Sequence, residues 1–297
     1  MVGDQISSER QSWDDSPTRR SRIAVIIPCY NDGAFVGEAA SSVQELDDTE
    51  VVVVDDGSTD PDTQRVLDYL AGRGVTILRL DNAGPAAARM AGVGATTAPY
   101  VFNLDADDVG VSSTLELMAD RLDADGDASV CYGDYQEFGD SELTRLVPPT
   151  IDPYRLAYTN EYPVTALFRR SALEAVGGWR HIDESRQDYE DWHLWMTLAE
   201  HGHRGVHIGP GVLTFRKRMH GQRRLGAAKA NHHAVYRTLR ESHPDLFGKL
   251  AAYRRASNLS WPRKLLYPVL YGGRRRFPFE ARVKGWLDRA GIWTLRG

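Results

Sequence analysis

In FNLDADDVG (Phe102–Gly110) an apolar run ends and Asp105, Asp107 and Asp108 follow within four positions. Two carboxylates about 4 Å apart repel by roughly 4 kcal/mol at the effective dielectric of a protein surface. A bound cation would turn that repulsion into attraction. Hard divalent ions such as Mg²⁺ or Mn²⁺ prefer oxygen ligands and often combine one or two carboxylates with substrate phosphates. The competing account is a polar turn whose Asp caps the next helix. A second acidic group, Asp55-Asp56-Gly57-Ser58-Thr59-Asp60, follows the run VVVV. A carboxylate there can accept hydrogen bonds from a nucleobase imide or a ribose hydroxyl. An Asx-turn leading to a helix cap at Asp60 explains part of this group but not Asp55 and Asp56 together. The third group is the adjacent pair Glu190-Asp191 at the head of EDWHLWMTLAEHG. Mutual repulsion would raise at least one pKa, whereas a helix N-terminus would lower it; the sequence leaves the sign open.

The elements that must position these groups read as an α/β chain. IAVIIP (Ile23–Pro28), VVVVDD (Val51–Asp56), VTILRL (Val75–Leu80) and APYVFNL (Ala98–Leu104) suit strands buried on both faces. Helical patterns alternate with them: Phe35 to Val43, a helix opened by Asp60-Pro61 and closed by Gly72 and Gly74, and the small-residue run GPAAARMAGVGA. Ser113 and Glu116 suggest a capping box for a fourth helix. That rhythm predicts right-handed βαβ units and a mostly parallel sheet, with ligands beyond the carboxyl ends of the strands. Asp55-Asp56 and Asp105–Asp108 both fall at such ends.

From Ala128 the pattern becomes α+β: SVCYGDYQEF and VTALFRR as strands, VPPTIDPYRLAYTNEYP as an irregular loop, a short helix over Ser171–Val176, a helix from Glu190, and mixed strand and turn over Val206–Arg216. The expected organisation is a disordered arm over 1–22, a ligand-binding α/β half over 23–127, an α+β half over 128–245 that would cover a second substrate, and a basic aromatic helical extension over 246–297. Trp192 and Trp195 read as core.

Hydrophobic residues make up 42% of the 297 and charged residues 26%, a soluble globular profile. The net charge of −5 argues against a generic polyanion binder, and no nucleic-acid motif is present. Two cysteines, Cys29 and Cys131, without a CxxC spacing make a disulfide framework or zinc site unlikely and point to a reducing compartment. The first 22 residues lack an apolar signal core, and no run approaches the roughly 18 apolar residues of a spanning helix. The expectation is a cytoplasmic protein, peripheral on the inner face of the cytoplasmic membrane if something holds it there. From Arg254 onward, eleven cations face only Glu280 and Asp288 and are interleaved with aromatics. That composition suits an anionic membrane surface; the alternative is a solvated helix pair packed on the catalytic domain.

IIPCYND (Ile26–Asp32), VVVVDDGSTD, NAGPAAARMAG (Asn82–Gly92), LDADD and YEDWHLWMTLAEHG (Tyr189–Gly202), in this order, resemble glycosyltransferase family 2 with the GT-A fold. The resemblance covers about Ile23 to His220. It implies sugar transfer from a nucleotide diphosphate donor, a UDP-sugar by default with dTDP and GDP open, with inversion at the anomeric carbon. The acceptor would be a glycan or a lipid-linked glycan of the cell envelope. Pro28, Tyr30 and Asp56 would line the nucleobase pocket, with Asp32 in the same donor-binding motif. Asp105 would meet the ribose and join the metal site, and Asp107 would ligate Mn²⁺ or Mg²⁺ bridging the diphosphate. Arg89 matches the family's basic position near that diphosphate. Asp191 matches the catalytic base, with Glu190 beside it and Asp188 a rival. His220, in Arg216–Gly221, would complete the metal sphere, although Gln222-Arg223-Arg224 departs from the usual His-x-x-Ser.

These roles suit the chemistry. A departing diphosphate develops negative charge that a metal and a cation stabilise; the anomeric carbon develops oxocarbenium character; and an incoming hydroxyl needs a base. A sugar nucleotidyltransferase would want a Gly-rich phosphate cradle where Cys29–Gly33 stands. A glycoside hydrolase would need two carboxylates but no nucleotide pocket. A non-catalytic membrane scaffold would have no cause to keep all these carboxylates.

Overall fold

The computed structural model describes residues 21–43, 49–140, 142–182, 189–217 and 232–271. The buried runs form β1 (Ile23–Cys29), β2 (Thr49–Asp55), β3 (Thr76–Arg79) and β4 (Tyr100–Asn103). Between them lie α1 (Gly33–Ser41), α2 (Pro61–Gly72) and α3 (Pro85–Gly94). The strands are parallel in the order β3-β2-β1-β4, as the βαβ rhythm predicts. Strand alternation sends Ala24 and Ile26 into one core layer and Val25 and Ile27 into the other. Each face of β1, of β4 and of the second half of β2 is therefore covered, which is why these runs are apolar. β3, at the edge of the sheet, is exposed at Thr76 and Arg79 and is not the doubly buried strand expected.

After α4 (Ser112–Ala124) the chain builds β5 (Ala128–Gly139), β6 (Thr144–Arg145), α5 (Pro153–Leu156), β7 (Leu167–Arg169), α6 (Arg170–Ala175), α7 (Glu190–Glu200) and β8 (Arg204–Lys217). β7 joins β4 antiparallel and β5 joins β7 antiparallel, while β8 runs parallel to β5. One core runs from Ala24 to Leu246, so both halves of the sequence share an interior. Helices α8 (His232–Ser242), α9 (Pro244–Gly248), α10 (Leu250–Ala256) and α11 (Trp261–Tyr271) complete the described chain. No described helix is long and apolar enough to cross a membrane.

Several local expectations need correction. α4 has Val111 at its cap with no side-chain cap bond, so Ser113 and Glu116 form no capping box. Ser42 instead fixes the entry to this helix: its hydroxyl accepts from the Gly110 amide at 2.9 Å and its carbonyl accepts from the Ser112 hydroxyl at 3.2 Å. The segment read as mixed strand and turn over Val206–Arg216 is one strand, because β5 pairs with it along nearly its whole length across two register shifts. The irregular loop contains one helical turn, α5, whose start is capped by the Asp152 carboxylate. Arg22, assigned to the arm, is ion-paired to Asp120 and Asp123 on α4. Trp192 and Trp195 are core: both are buried, and their indole N–H groups donate to the carbonyls of Leu156 and Pro163. Cys29 and Cys131 are buried and unpaired.

The small-residue helix α3 lies close on the sheet because Gly92 allows it. A Cβ at Gly92 would stand 2.3 Å from Cγ2 of Ile26. Gly92→Val is expected to destabilise the fold by about 1–3 kcal/mol or more, read as a lowered urea midpoint with an unchanged slope.

Candidate active site

The carboxyl edge of the parallel strands gathers the predicted loops. The Asp56 amide donates to the Cys29 carbonyl at 2.9 Å, and the Leu104 amide to that of Ile26 at 3.0 Å. The ends of β1, β2 and β4 are thereby laced side by side, bringing Pro28, Tyr30 and Asp32 to the same edge as Asp55-Asp56 and Asp105–Asp108. Pro28, Tyr30 and Asp32 are half-buried, so each keeps some surface open there.

The two aspartates of DDGSTD have distinct partners. Asp55 accepts from the Ser58 amide at 2.9 Å and Gln64 Nε2 at 3.0 Å, closing the turn. Asp56 takes the Ala83 and Gly84 amides, one on each carboxylate oxygen, at 2.6 and 2.9 Å. It thus ties the end of β2 to the loop that starts α3. Asp60 caps α2 through the amides of Asp62 and Thr63, as expected. Gly57 adopts φ +75°, and an added Cβ would stand 2.8 Å from the Asn82 amide nitrogen, so this turn needs glycine. Asn31, itself in the left-handed region at φ 57°, accepts the Thr59 and Asp60 amides at 2.8 and 2.9 Å, pinning this loop to the end of β1.

Asp105 and Asp107 lie on a tight turn in which the Asp108 amide donates to the Asp105 carbonyl at 3.0 Å. Asp108 is buried, whereas Asp107 is half-buried. The Asp105 side chain is 32% exposed. It accepts from Asn103 Nδ2 and Arg89 Nη2, each at 3.1 Å. Arg89 is buried, and its other guanidinium nitrogens donate to Asn103 Oδ1 at 2.9 Å and Glu190 Oε1 at 2.6 Å. Its guanidinium also sits 6.0 Å from the centre of the Trp179 ring. Burial alone would lower the Arg89 pKa, but Asp105 and Glu190 outweigh it and raise it. Arg89 therefore offsets part of the negative charge at the edge and holds Asp105 and Glu190 in place, and it is not an open guanidinium.

Glu190 and Asp191 open α7 and divide two roles. Glu190 turns to Arg89. Asp191 keeps part of its surface open to solvent, yet the packing around its carboxylate desolvates it. That desolvation, with the Glu190 charge second, pushes its pKa up to about 6 against the pull of the Trp192 amide, Arg89 and Asn160. The sign left open by the sequence is resolved upward. Asn160 Nδ2 donates to Asp191 Oδ2 at 2.9 Å, while Asn160 Oδ1 accepts the Tyr162 amide at 3.1 Å. The second bond orients the amide so that its NH₂ faces the carboxylate.

Sequence reading missed Asn31, Asn103 and Asn160. Asn103 carried a signal, a polar residue ending a buried strand, which must find partners. Asn160 carried none, because it meets Asp191 across 31 positions of the chain, with β7 and α6 between them. His220, Gln187 and Asp188 lie outside the described residues. Among the described residues no three His, Cys, Asp or Glu side chains converge as a metal cage. The donor set still fits a cation of a particular kind: Asp105 and Asp107 offer two partly open oxygen-bearing groups at a strand end, leaving other positions for diphosphate oxygens and water.

Two outcomes are expected. Arg89→Met strands Asp105 and Glu190 without their shared cation and should cost about 3–5 kcal/mol, measured by chemical unfolding. Asn160→Ala removes a bond that favours ionised Asp191. If ionised Asp191 is needed for turnover, the acid limb of log kcat/KM against pH should move from near pH 6 to higher pH. The same upward shift has a stability counterpart. The native state holds this proton more tightly than the unfolded chain, whose carboxyl titrates near about 3.9. The contribution of Asp191 to stability is therefore full below that value and is lost as pH rises through about 6.

Comparison with known proteins gives the family and the fold. The family description "Glycosyl transferase family 2" matches residues 24–177. The glycosyltransferase GlyG of Streptococcus pneumoniae is 29% identical over 125 residues, 40% of this chain and 41% of that protein. The uncharacterised glycosyltransferase YibD of Escherichia coli is 33% identical over 120 residues, 39% of this chain and 35% of its own length. The matched region thus spans about two-fifths of these curated relatives. Among solved structures, S. aureus TarS 1-349 in complex with UDP-GlcNAc superposes with a TM-score of 0.63 at 20% identity, covering 92% of this chain and 78% of that one. The mannosyltransferase PcManGT from Pyrobaculum calidifontis, in complex with GDP-Man and Mn²⁺, gives 0.56 at 20% identity, covering 95% and 84%. The mixed α/β fold with its mostly parallel sheet is that of GT-A glycosyltransferases, and the match over more than half of its length makes this chain a member of glycosyltransferase family 2.

Proposed function

We propose that this protein transfers a sugar from a nucleoside diphosphate donor, a UDP-sugar first, to a hydroxyl of a glycan or lipid-linked acceptor, inverting the anomeric carbon. Asp191 is the general base. What supports this most is the placing of Asp191: a partly open carboxylate in the first turn of α7, held by Asn160 at 2.9 Å beside a glutamate that an arginine fixes, in surroundings whose desolvation raises its pKa. A base poised near neutrality takes a hydroxyl proton better than an ordinary surface aspartate. In the reaction the acceptor oxygen bonds to the anomeric carbon and its proton passes to Asp191. The bond to the diphosphate breaks, and its electron pair leaves with the diphosphate.

Pro28, Tyr30, Asp32 and Asp56 are the donor-base residues in this reading. Asp56 acts partly by shaping, since both its oxygens already take backbone amides. Asp105 reaches the ribose and, with Asp107 and His220, would hold Mn²⁺ or Mg²⁺. That ion would supply Lewis-acid stabilisation of the leaving diphosphate. Arg89 keeps Asp105 and Glu190 in their places. A structural neighbour bound to UDP-GlcNAc and another bound to GDP-Man with Mn²⁺ support this donor class and leave the base open. Family membership weighs against the nucleotidyltransferase and scaffold readings. A cytoplasmic site on the inner membrane face suits a lipid-linked acceptor.

The test joins binding and turnover. UDP with Mn²⁺ should raise the melting temperature, by the equivalent of about 2.7 kcal/mol at a hundredfold excess over Kd. Asp191→Asn should keep that shift while transfer from a UDP-sugar panel falls at least about a hundredfold. Unchanged transfer by Asp191→Asn would remove the base assignment.

A further inference from the structure

Between Lys249 and Tyr271 the chain carries five cations, Lys249, Arg254, Arg255, Arg263 and Lys264, and no carboxylate, although its net charge is −5. This segment holds α10 and α11, and α11 has two unlike faces. On the inner face Tyr267 is buried, and its hydroxyl bonds to both carboxylate oxygens of Glu161 at 2.8 and 2.9 Å. The Tyr154 hydroxyl donates to the Lys264 carbonyl, and Leu259 packs with Tyr154 and Tyr267 in a small core. On the outer face Trp261, Leu265 and Val269 are 73%, 49% and 49% exposed. A spacing of four places them in one stripe along the helix. Among the described residues six large apolar side chains are exposed, and three of them are these, so the stripe is a patch and not surface scatter. Beside it Ala251, Arg254, Arg255 and Lys264 line a cleft of about 470 Å³.

We propose that the outer face of α11, together with this cationic cleft, docks on an anionic lipid bilayer. An apolar stripe headed by an exposed tryptophan and flanked by cations is the make-up of a helix lying in a membrane interface. Charge complementarity selects an anionic surface. A second copy of the chain is a poor occupant, because a self-complementary contact would set Arg254, Arg255 and Lys264 against the same cations of the other copy.

The inner face gives this docking a consequence for the site. Tyr267 is braced on Glu161, and the preceding residue, Asn160, donates to Asp191. Helix α11 therefore stands between the docking face and the segment that orients the candidate base, and is bonded to that segment. The acceptor favoured by that arrangement is one anchored in the same bilayer, a point that rests on the assignment of Asp191 above.

The test uses the whole chain and a readout separate from catalysis. In flotation with phosphatidylcholine vesicles, with and without phosphatidylglycerol, binding is expected only to the anionic vesicles and should weaken with salt. Leu265→Glu with Val269→Glu, and separately Arg254→Gln with Arg255→Gln, should each lower that binding about tenfold or more. Both double variants should keep the thermal shift with UDP and Mn²⁺, which separates loss of docking from loss of fold or of donor binding. Equal binding to neutral and anionic vesicles overturns the proposal, as does either double variant binding like wild type. Absence of vesicle binding together with a concentration-dependent dimer that Leu265→Glu with Val269→Glu abolishes would assign the face to a second copy and overturn it too.

Discussion

The buried charge of Arg89 is the constraint on which the site depends. An ion taken out of water costs several kcal/mol unless hydrogen bonds and opposite charge replace its hydration. Asn103, Asp105 and Glu190 do so from three separate places: the end of β4, the carboxylate turn after it, and the first turn of α7. Satisfying one guanidinium therefore ties α3 to the end of β4 with its carboxylate turn and to the start of α7, 101 residues from Arg89 in the chain. The close approach of α3 to the sheet at Gly92, where Ile26 leaves no room for a Cβ, brings Arg89 within reach.

This arrangement separates two adjacent carboxylates that composition alone would treat alike. Glu190 is ion-paired to Arg89, and Asp191 is left in a desolvated place with an asparagine as its fixed partner. Desolvation and the neighbouring charge overcome the helix N-terminus, so the proton affinity of Asp191 rises. In the proposed reaction one member of the pair is structural and the other is the base, through environment and not residue type. The aspartates at the end of β2 show the same division of labour. Asp55 closes its own turn, and Asp56 clamps the loop leading into α3, so the helix that carries Arg89 is held at its start as well.

The C-terminal helices extend this logic outward. Their inner face is tied to Glu161 and Asp152 by Tyr267 and Ser257, while the outer face of α11 leaves apolar and cationic side chains open. Of the two accounts of the basic aromatic segment, packing on the domain describes the inner face of α11, and the surface account is the proposal made for its outer face; residues 272–297 of that segment lie outside the described residues.

Much of this was legible in the chain itself. Continuous apolar runs with helical spacing between them specify a covered parallel sheet, because a strand buried on both faces has no use for polar residues. Turn chemistry at Asp60-Pro61 and Gly57 is local and legible in the residues, and the carboxylates expected at the strand ends do lie at one edge of the sheet. The capping box at Ser113 failed because Ser42, distant in sequence, fixes the start of α4. The continuity of β8 was hidden because its pairing with β5 supplies the regularity that its own residues lack. The partners of Arg89, the role of Asn160 and the direction in which the Asp191 proton affinity moves were decided only by the tertiary structure. Each depends on desolvation and on contacts between residues far apart in the chain, and neither can be read from residue types or their spacing.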